Sequence, residues 1–228
     1  MDQRTWDRIG AACGIPAVVL SPVGFALLVS AGFGGGLQTS PDELAKALGT
    51  PAAGLVQAGA YLDVLGSFFF VIFAARLWAT LRRAEGDGGW LSATVLAAAL
   101  MAVAASFVEK SAFLTIGLKV GQGLDLQEAT SLLDLAGGSF LLAQAFLGVL
   151  FIGAAAASIL HGRALPRWLG WGAGAVSLAN VAGVALGPDI AFIPFVAFIL
   201  WMLVASSYLV IRAPVVRERI PGEMVASV

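Results

Sequence analysis

Five polar residues interrupt segments that are otherwise apolar enough to lie in a membrane: Asp63, Glu109, Lys110, Gln144 and Asn180. A polar or ionisable side chain at bilayer depth is energetically expensive and rarely faces lipid. Such groups instead pair inside a helix bundle or line a wet cavity, where they can hold a cation, a proton or a polar ligand. We therefore predict that these five residues bind a ligand.

Asp63 is predicted to lie deep in the membrane. It precedes Arg76 by thirteen residues, which corresponds to about 20 Å along a helix. Asn180 follows Arg167 by the same number of residues, and Gln144 falls at a similar depth in another apolar segment. Three helices are thus expected to aim polar groups at one level.

Glu109 and Lys110 form a second polar pair, near the outer end of their segment. Adjacent residues on a helix point in different directions, so each is expected to need a separate partner, or water. Lys110 can reach toward Asp63 or Asp134, and Glu109 toward the outer loops. A purely structural interpretation stays open for all of these groups, in which they tie helices together or extend to the membrane interface.

Other kinds of chemistry have no support in the sequence. The single cysteine, Cys13, and the single histidine, His161, cannot form a cysteine cluster or an H-E-x-x-H motif, so no metal site and no cofactor are expected. No Walker-type glycine loop is present. The basic residues form no face interleaved with aromatic residues, which argues against nucleic-acid binding. No catalytic residue is predicted.

The elements that must position the polar residues are membrane-spanning helices. Of the 228 residues 59% are hydrophobic and 12% charged, whereas soluble domains are about 25% charged, and the mean hydropathy is +0.92. A single all-α domain, residues 1–228, is predicted, with six spans at residues 9–33, 52–77, 90–118, 132–160, 168–187 and 190–211. The first span exceeds the ~7–15 residues of a signal-peptide core, so we expect it to be retained.

Basic residues are distributed unequally between the two sides of the predicted bundle. Lys46, Lys110 and Lys119 lie on one side, and ten arginines lie on the other: Arg4, Arg8, Arg76, Arg82, Arg83, Arg163, Arg167, Arg212, Arg217 and Arg219. Basic residues stay in the cytoplasm, so both termini are predicted to be cytoplasmic in a cell membrane. Each odd-numbered span also begins near a tryptophan, which favours the interface.

The first two outer loops are predicted to contain short helices. Ser40 is placed to cap a helix over residues 41–48, and Gly49 supplies the stop. Asp125 repeats this capping pattern ahead of Glu128, and that helix is expected to run into the fourth span.

Small residues at four-residue spacing mark helix faces that permit close packing: Gly10 and Gly14, Gly170 and Gly174, Gly183 and Gly187. Packing within the bundle is the favoured interpretation, and a homo-oligomer interface is the alternative. Pro16, Pro22 and Pro194 fall inside spans and are expected to kink them.

Three stretches resemble a bacterial family of six-helix membrane proteins known only as a domain of unknown function: Ser40-Pro41-Asp42-Glu43-Leu44, Phe107-Val108-Glu109-Lys110 and Leu165-Pro166-Arg167-Trp168-Leu169-Gly170-Trp171. The resemblance extends over nearly the whole chain. It implies the six-helix topology and singles out Glu109, and it implies no activity.

The predicted function is that of a non-enzymatic membrane protein that binds a small or lipid-like molecule, or a partner protein, in an outward-facing polar pocket. One alternative is a small transporter or proton-coupled carrier that uses Asp63. The other is an intramembrane enzyme acting on a lipid or isoprenoid substrate. We expect a carrier to show a path from Asp63 to both faces, an enzyme to cluster two acids or a metal site, and a binding protein to show one blind cavity.

Overall fold

The computed structural model describes residues 3–33, 41–48, 53–86, 88–120, 122–186 and 188–212. These residues are almost entirely helical and contain no strand. The helices are α1 (Gln3–Ala12), α2 (Gly14–Leu28), α3 (Pro41–Leu48), α4 (Ala53–Glu85), α5 (Trp90–Lys119), α6 (Leu126–Gln144), α7 (Ile152–Gly162), α8 (Arg167–Leu186) and α9 (Pro188–Ile211). A further turn, Val29–Phe33, follows α2, and a π-helical segment, Ala145–Phe151, joins α6 to α7.

Six helical segments within the described residues are long and apolar enough to cross a membrane: Gln3–Phe33, Ala53–Glu85, Trp90–Lys119, Leu126–Gly162, Arg167–Leu186 and Ile193–Ile211. The six predicted spans are therefore confirmed, and the protein is a multi-pass membrane protein. Three helical segments extend beyond the predicted spans by more than a turn. The first begins at Gln3 instead of residue 9, the second continues to Glu85 instead of ending at residue 77, and the fourth begins at Leu126 instead of residue 132.

The extension of α4 has a physical cause in its side chains. Leu77 and Leu81 are fully buried, whereas Arg82 and Arg83 are exposed. This amphipathic pattern holds the last turns against the bundle although they are too charged for a hydrophobic span. A boundary drawn on hydropathy alone therefore stops too early.

The last residue of α4 also fixes the start of α5. The two carboxylate oxygens of Glu85 accept hydrogen bonds from the backbone N–H groups of Leu91 (2.9 Å) and Ser92 (2.8 Å). These N–H groups lie in the first turn of α5 and have no partner within their own helix. The Glu85 side chain therefore sets the tight connection between the second and third spans.

The two predicted loop helices have different outcomes. The Asp125 side chain accepts a hydrogen bond from the Glu128 N–H at 2.7 Å, and α6 then runs directly into the fourth span, so it does not form a separate loop helix. α3 occupies Pro41–Leu48, where a short helix was predicted. Its cap at Ser40 and its stop at Gly49 lie outside the described residues, and its position on the outer side stays a prediction.

The start of the first span is divided by a proline. Pro16 has no N–H and cannot bond to the carbonyl four residues back, that of Ala12, where α1 ends. A turn at Cys13 separates α1 from α2. Pro22 and Pro194 lie inside α2 and α9 without interrupting them.

We use the term arginine-rich end for the end of the bundle at which α1, α5 and α8 begin and α4 and α7 finish. Trp6, Trp90 and Trp168 are exposed there, as expected for interfacial residues. Gly162 at the end of α7 lies against Ala84 near the end of α4, which brings the two connections together. Arg217 and Arg219, predicted for the same side, lie outside the described residues.

Apolar side chains form two buried clusters along the bundle. The cluster nearer the arginine-rich end contains Phe73 and Leu81, and the other contains Val56 and Ile116. On α4 and α5 alike, a few residues with polar side chains separate the parts that contribute to each cluster. We call this the polar layer and define it as Ser21, Asp63, Glu109, Lys110 and Gln144.

Glycines bring α2 and α4 close together beside the polar layer. A Cβ added at Gly24 would lie 2.5 Å from the carbonyl oxygen of Gly59, and one added at Gly59 would lie 2.7 Å from that of Gly24. Neither position tolerates a side chain. Of the predicted pairs, Gly10 and Gly14 also contact other helices of the same chain, as the bundle-packing interpretation predicts.

Candidate ligand-binding site

The centre of the polar layer is one lysine held between two carboxylates. Lys110 Nζ lies 2.9 Å from Asp63 Oδ2 and 2.8 Å from Glu109 Oε2. All three side chains are largely buried, with exposed fractions of 8% for Lys110, 15% for Asp63 and 13% for Glu109. Of the two partners expected for Lys110, the structure shows Asp63, and this ion pair ties α4 to α5.

The expectation that Glu109 and Lys110 need separate partners was wrong in part. Their Cβ atoms do point apart, but the four methylenes of Lys110 let its ammonium turn back to its neighbour while it also bonds to Asp63. Asp134, the other partner considered for Lys110, is exposed on α6. The rule on helix faces therefore holds for Cβ directions and fails for a long, flexible side chain.

Asp63 has a further partner that the sequence did not single out. Ser21 Oγ of α2 donates to Asp63 Oδ1 at 2.6 Å, and Ser67 Oγ donates to the Asp63 carbonyl oxygen at 3.0 Å. The signal in the sequence was a lone hydroxyl ahead of Pro22 in an apolar span. Only the glycine-mediated approach of α2 and α4 brings that hydroxyl to the carboxylate.

The charges of this cluster do not balance. With all three groups ionised, two carboxylates surround one ammonium and leave a net charge of −1 between two apolar clusters. A net charge in a region of low dielectric is costly unless a proton or another cation compensates it. The polar layer thus has the electrostatics of a site for a positively charged group.

A cavity of about 100 Å³ borders the polar layer. Residues of α2, α4, α5, α6 and α9 and of the π-helical segment line it, and its polar lining consists of Ser21, Asp63, Ser67, Ser106, Glu109, Lys110 and Gln144. One water needs roughly 10–15 Å³ on this measure, so the cavity can hold several waters or a small organic group. Four of the five predicted ligand-binding residues meet here.

Gln144 contributes an acceptor that lacks a partner. The residue is 2% exposed, and its side-chain oxygen Oε1 makes no hydrogen bond with any described residue. Leaving such a group buried and unpaired costs about 1–3 kcal/mol. Gln144 ends α6 immediately before the π-helical segment, a kind of distortion that is frequent at functional sites. The Gln144 side chain is therefore available to a donor in the cavity.

Asn180 is not one of the residues that line this cavity. Its Nδ2 donates to the Val176 carbonyl of its own helix at 2.9 Å and lies 3.5 Å from the Pro194 carbonyl of α9. Its side chain fills the space that the missing Cβ of Gly148 leaves open on the π-helical segment. The structure thus places Asn180 at a junction of three helical segments. A role in ligand binding stays a prediction for it.

Aromatic rings close the cavity toward the arginine-rich end. Phe70 lies seven residues beyond Asp63 on α4, or about 10 Å, and its ring is 5.4 Å from that of Phe151 and 6.2 Å from that of Phe198. Phe73, a turn further on, is fully buried. The described residues therefore leave the cavity blind on this side.

A second buried ion pair lies beyond this barrier. Arg76 Nη1 is 3.1 Å from Asp7 Oδ1, and both residues are 7% exposed. The sequence placed Arg76 at the interface, whereas the structure buries it against Gly10. Its Nη1 contacts Asp7 as an ion pair without the geometry of a hydrogen bond. Neither residue lines the cavity.

The described residues contain no group of three histidine, cysteine or acidic side chains placed to hold a metal ion. Cys13 is buried near the start of α2. No family model matches the chain, and comparisons with curated proteins and with solved structures also find no match. The geometry alone therefore carries the functional argument, and the resemblance to the bacterial six-helix family stays a prediction.

Proposed function

We propose that this protein is a non-enzymatic membrane protein that binds a small or lipid-like molecule in the cavity beside the polar layer. The observation that carries the proposal is the unpartnered Gln144 Oε1, buried on the wall of a cavity that also borders Asp63, Lys110 and Glu109. A site that only tied helices together would gain nothing from an adjacent void or an unpaired acceptor.

The proposal includes an orientation. Both termini are assigned to the cytoplasm of a bacterial cell because eight described arginines lie at or near the arginine-rich end, whereas Lys46, Lys110 and Lys119 lie toward the other. The cavity then faces outward, since Phe70, Phe151 and Phe198 close its inner side. In a Cys13→Ala background, a cysteine at Ala84 should label only from inside and one at Gln122 only from outside. The reverse pattern would invert the assignment.

A small carrier is the second candidate, and one observation favours it. Two buried ion pairs, Asp7–Arg76 and Asp63–Lys110, lie about 20 Å apart along α4. They would serve as the inner and outer binding sites of a transport pathway if the phenylalanine rings between them moved. The barrier consists of fully or largely buried, interlocked rings, so a binding role remains the preferred one.

The clustering of Asp63 and Glu109 satisfies one criterion for an intramembrane enzyme on a lipid or isoprenoid substrate. Both carboxylates, however, contact the same ammonium, and general acid–base catalysis needs a group free to exchange a proton with a substrate. An enzyme is therefore the least supported of the three classes.

Native mass spectrometry of protein extracted in mild detergent tests the binding function. Ala102 lines the cavity and is buried, whereas Ala104, two residues along α5, is exposed on the bundle surface. We expect the wild type and Ala104→Leu to retain a bound small molecule or lipid, and Ala102→Leu to lose it because leucine fills the cavity. Identical bound species in all three proteins would contradict the proposal.

A further inference from the structure

Among the residues that the structure describes, few charged groups face the cavity. Residues from five helices and the π-helical segment line it, and the charged side chains among the lining residues are Asp63, Glu109 and Lys110. Their sum is −1 when all are ionised. An anionic ligand would make the net charge −2, and a neutral ligand would leave it at −1. A ligand with one positive charge makes the layer neutral, which a low-dielectric region favours.

The hydrogen-bonding groups point to the same class of ligand. Lys110 Nζ, the strongest donor of the layer, already serves both carboxylates, and Ser21 Oγ already donates to Asp63. Gln144 Oε1 is an acceptor that no described residue satisfies. Each carboxylate oxygen also carries two lone pairs and can accept a second donor. The site therefore offers unused acceptor capacity to a ligand that donates hydrogen bonds.

The remaining walls fit a short apolar body. Phenylalanines from four helices line the cavity: Phe25, Phe70, Phe140, Phe195 and Phe198. Aromatic faces attract hydrocarbon and also stabilise a nearby cation. A dry cavity of about 150 Å³ holds a benzene ring, so about 100 Å³ fits an alkyl group of some four carbons. Phe25 is 40% exposed on the bundle surface and places one side of the cavity next to lipid.

We propose that the ligand of this cavity is a primary alkylammonium, whose nitrogen lies between the carboxylates of the polar layer and Gln144 Oε1 and whose hydrocarbon part lies among the phenylalanines. This rests on the proposed binding function and specifies its ligand class. A free alkylamine and the ammonium of an aminophospholipid headgroup present the same chemistry.

Thermal unfolding in detergent at neutral pH, where a primary amine is protonated, tests the charge. The probes are n-butylammonium chloride, n-butanol and sodium butyrate at matched ionic strength. We expect butylammonium to raise the unfolding temperature in a saturable way, butanol to bind at least tenfold more weakly, and butyrate to have no effect. Butanol binding as tightly as butylammonium would overturn the ammonium proposal and leave the binding function intact. No shift with any probe, together with no bound molecule by mass spectrometry, would remove both.

Two variants locate the binding in the polar layer. Glu109→Gln removes the excess charge while its amide oxygen can still accept from Lys110, and we expect butylammonium affinity to fall at least tenfold. Gln144→Leu keeps the layer's charge and removes the free acceptor, and we expect a several-fold loss. Asp134→Asn, which neutralises an exposed carboxylate on α6, is the matched control and should bind as the wild type does. Unchanged affinity in both Glu109→Gln and Gln144→Leu would contradict the proposal.

Two lipids distinguish a free alkylamine from a lipid headgroup as the source of the bound ammonium. Short-chain phosphatidylethanolamine and phosphatidylcholine are added in place of the free amine. The site binds a headgroup if the ethanolamine lipid stabilises the protein, if this effect depends on Glu109 and if the lipid competes with butylammonium. The site binds a free amine if butylammonium alone stabilises the protein. Equal stabilisation by both lipids, independent of Glu109, would show lipid contact elsewhere and count against the headgroup.

Discussion

The two buried ion pairs on α4 differ in what surrounds them. Asp7 pairs with Arg76 outside the cavity, and the half-exposed Arg83 lies 4.0 Å from the same carboxylate as a second cation. Asp63 and Lys110 share their layer with Glu109 and border the cavity beside an unpartnered Gln144.

Burial and pairing are therefore not enough to identify a functional site. Both pairs are buried, and both tie α4 to a neighbouring helix. What separates them is an unbalanced charge next to an empty volume, because only that combination is improved by a ligand. On this criterion we interpret the Asp7–Arg76 pair as structural and propose the polar layer as the binding site.

Removing the cation from each pair should destabilise the protein by different amounts. Lys110→Met leaves Asp63 and Glu109 facing each other without compensation, and we expect a loss of about 3–5 kcal/mol in the free energy of unfolding, the cost of breaking a buried ion pair. Arg76→Met leaves Asp7 within reach of Arg83, so we expect a smaller loss of about 1–3 kcal/mol. Thermal unfolding in detergent measures both.

The control for Lys110→Met neutralises the whole layer. The triple variant Asp63→Asn, Glu109→Gln, Lys110→Met should regain most of the lost stability, because no buried charge is left unpaired. If Arg76→Met proves the more damaging single change, the assignment of structural and functional pairs is reversed.

Asp63→Asn should separate the two possible roles of the acid itself. Asparagine keeps an oxygen for the Ser21 hydroxyl, and Glu109 still pairs with Lys110, so we expect a change in stability within about 1 kcal/mol. Butylammonium affinity should fall at least tenfold because the layer becomes neutral. Isothermal titration calorimetry on the detergent-solubilised protein measures the binding. A variant that matches the wild type in both stability and affinity would leave Asp63 as a helix tie alone.

Much of this arrangement could be predicted because the membrane restricts the length, polarity and charge pairing of the helices that cross it. The six spans, the Asp125 cap and the need of Lys110 for an acidic partner followed from apolar length, local capping chemistry and the cost of an unpaired charge. The spans and the cap depend on residues within one segment, and the acidic partner of Lys110 depends on the high cost of an unpaired buried charge.

The features that could not be predicted from the sequence depend on how two helices approach each other. Ser21 reaches Asp63 only because Gly24 and Gly59 let α2 and α4 come close, and neither glycine has another glycine four residues away. Asn180 was predicted to lie at the depth of Asp63 and Gln144, but the rotation of α8 directs its side chain to Gly148 and not to the cavity. Depth is read from residue numbers, whereas helix rotation is set by packing.

Two glutamines offer the finest test, because they differ in whether their polar atoms are satisfied. Gln57 Nε2 of α4 donates to the Gly117 carbonyl of α5 at 2.9 Å, whereas Gln144 Oε1 has no partner among the described residues. We expect Gln57→Leu to cost about 1 kcal/mol, since it removes a made hydrogen bond, and Gln144→Leu to be neutral or to stabilise the ligand-free protein by a similar amount. Thermal unfolding after extensive washing in detergent measures both variants. If Gln144→Leu destabilises the washed protein as much as Gln57→Leu does, Oε1 already has a partner in the free protein, such as a tightly bound water. If Gln144→Leu instead raises the stability and weakens butylammonium binding, Gln144 contributes to ligand binding and lowers the stability of the ligand-free protein.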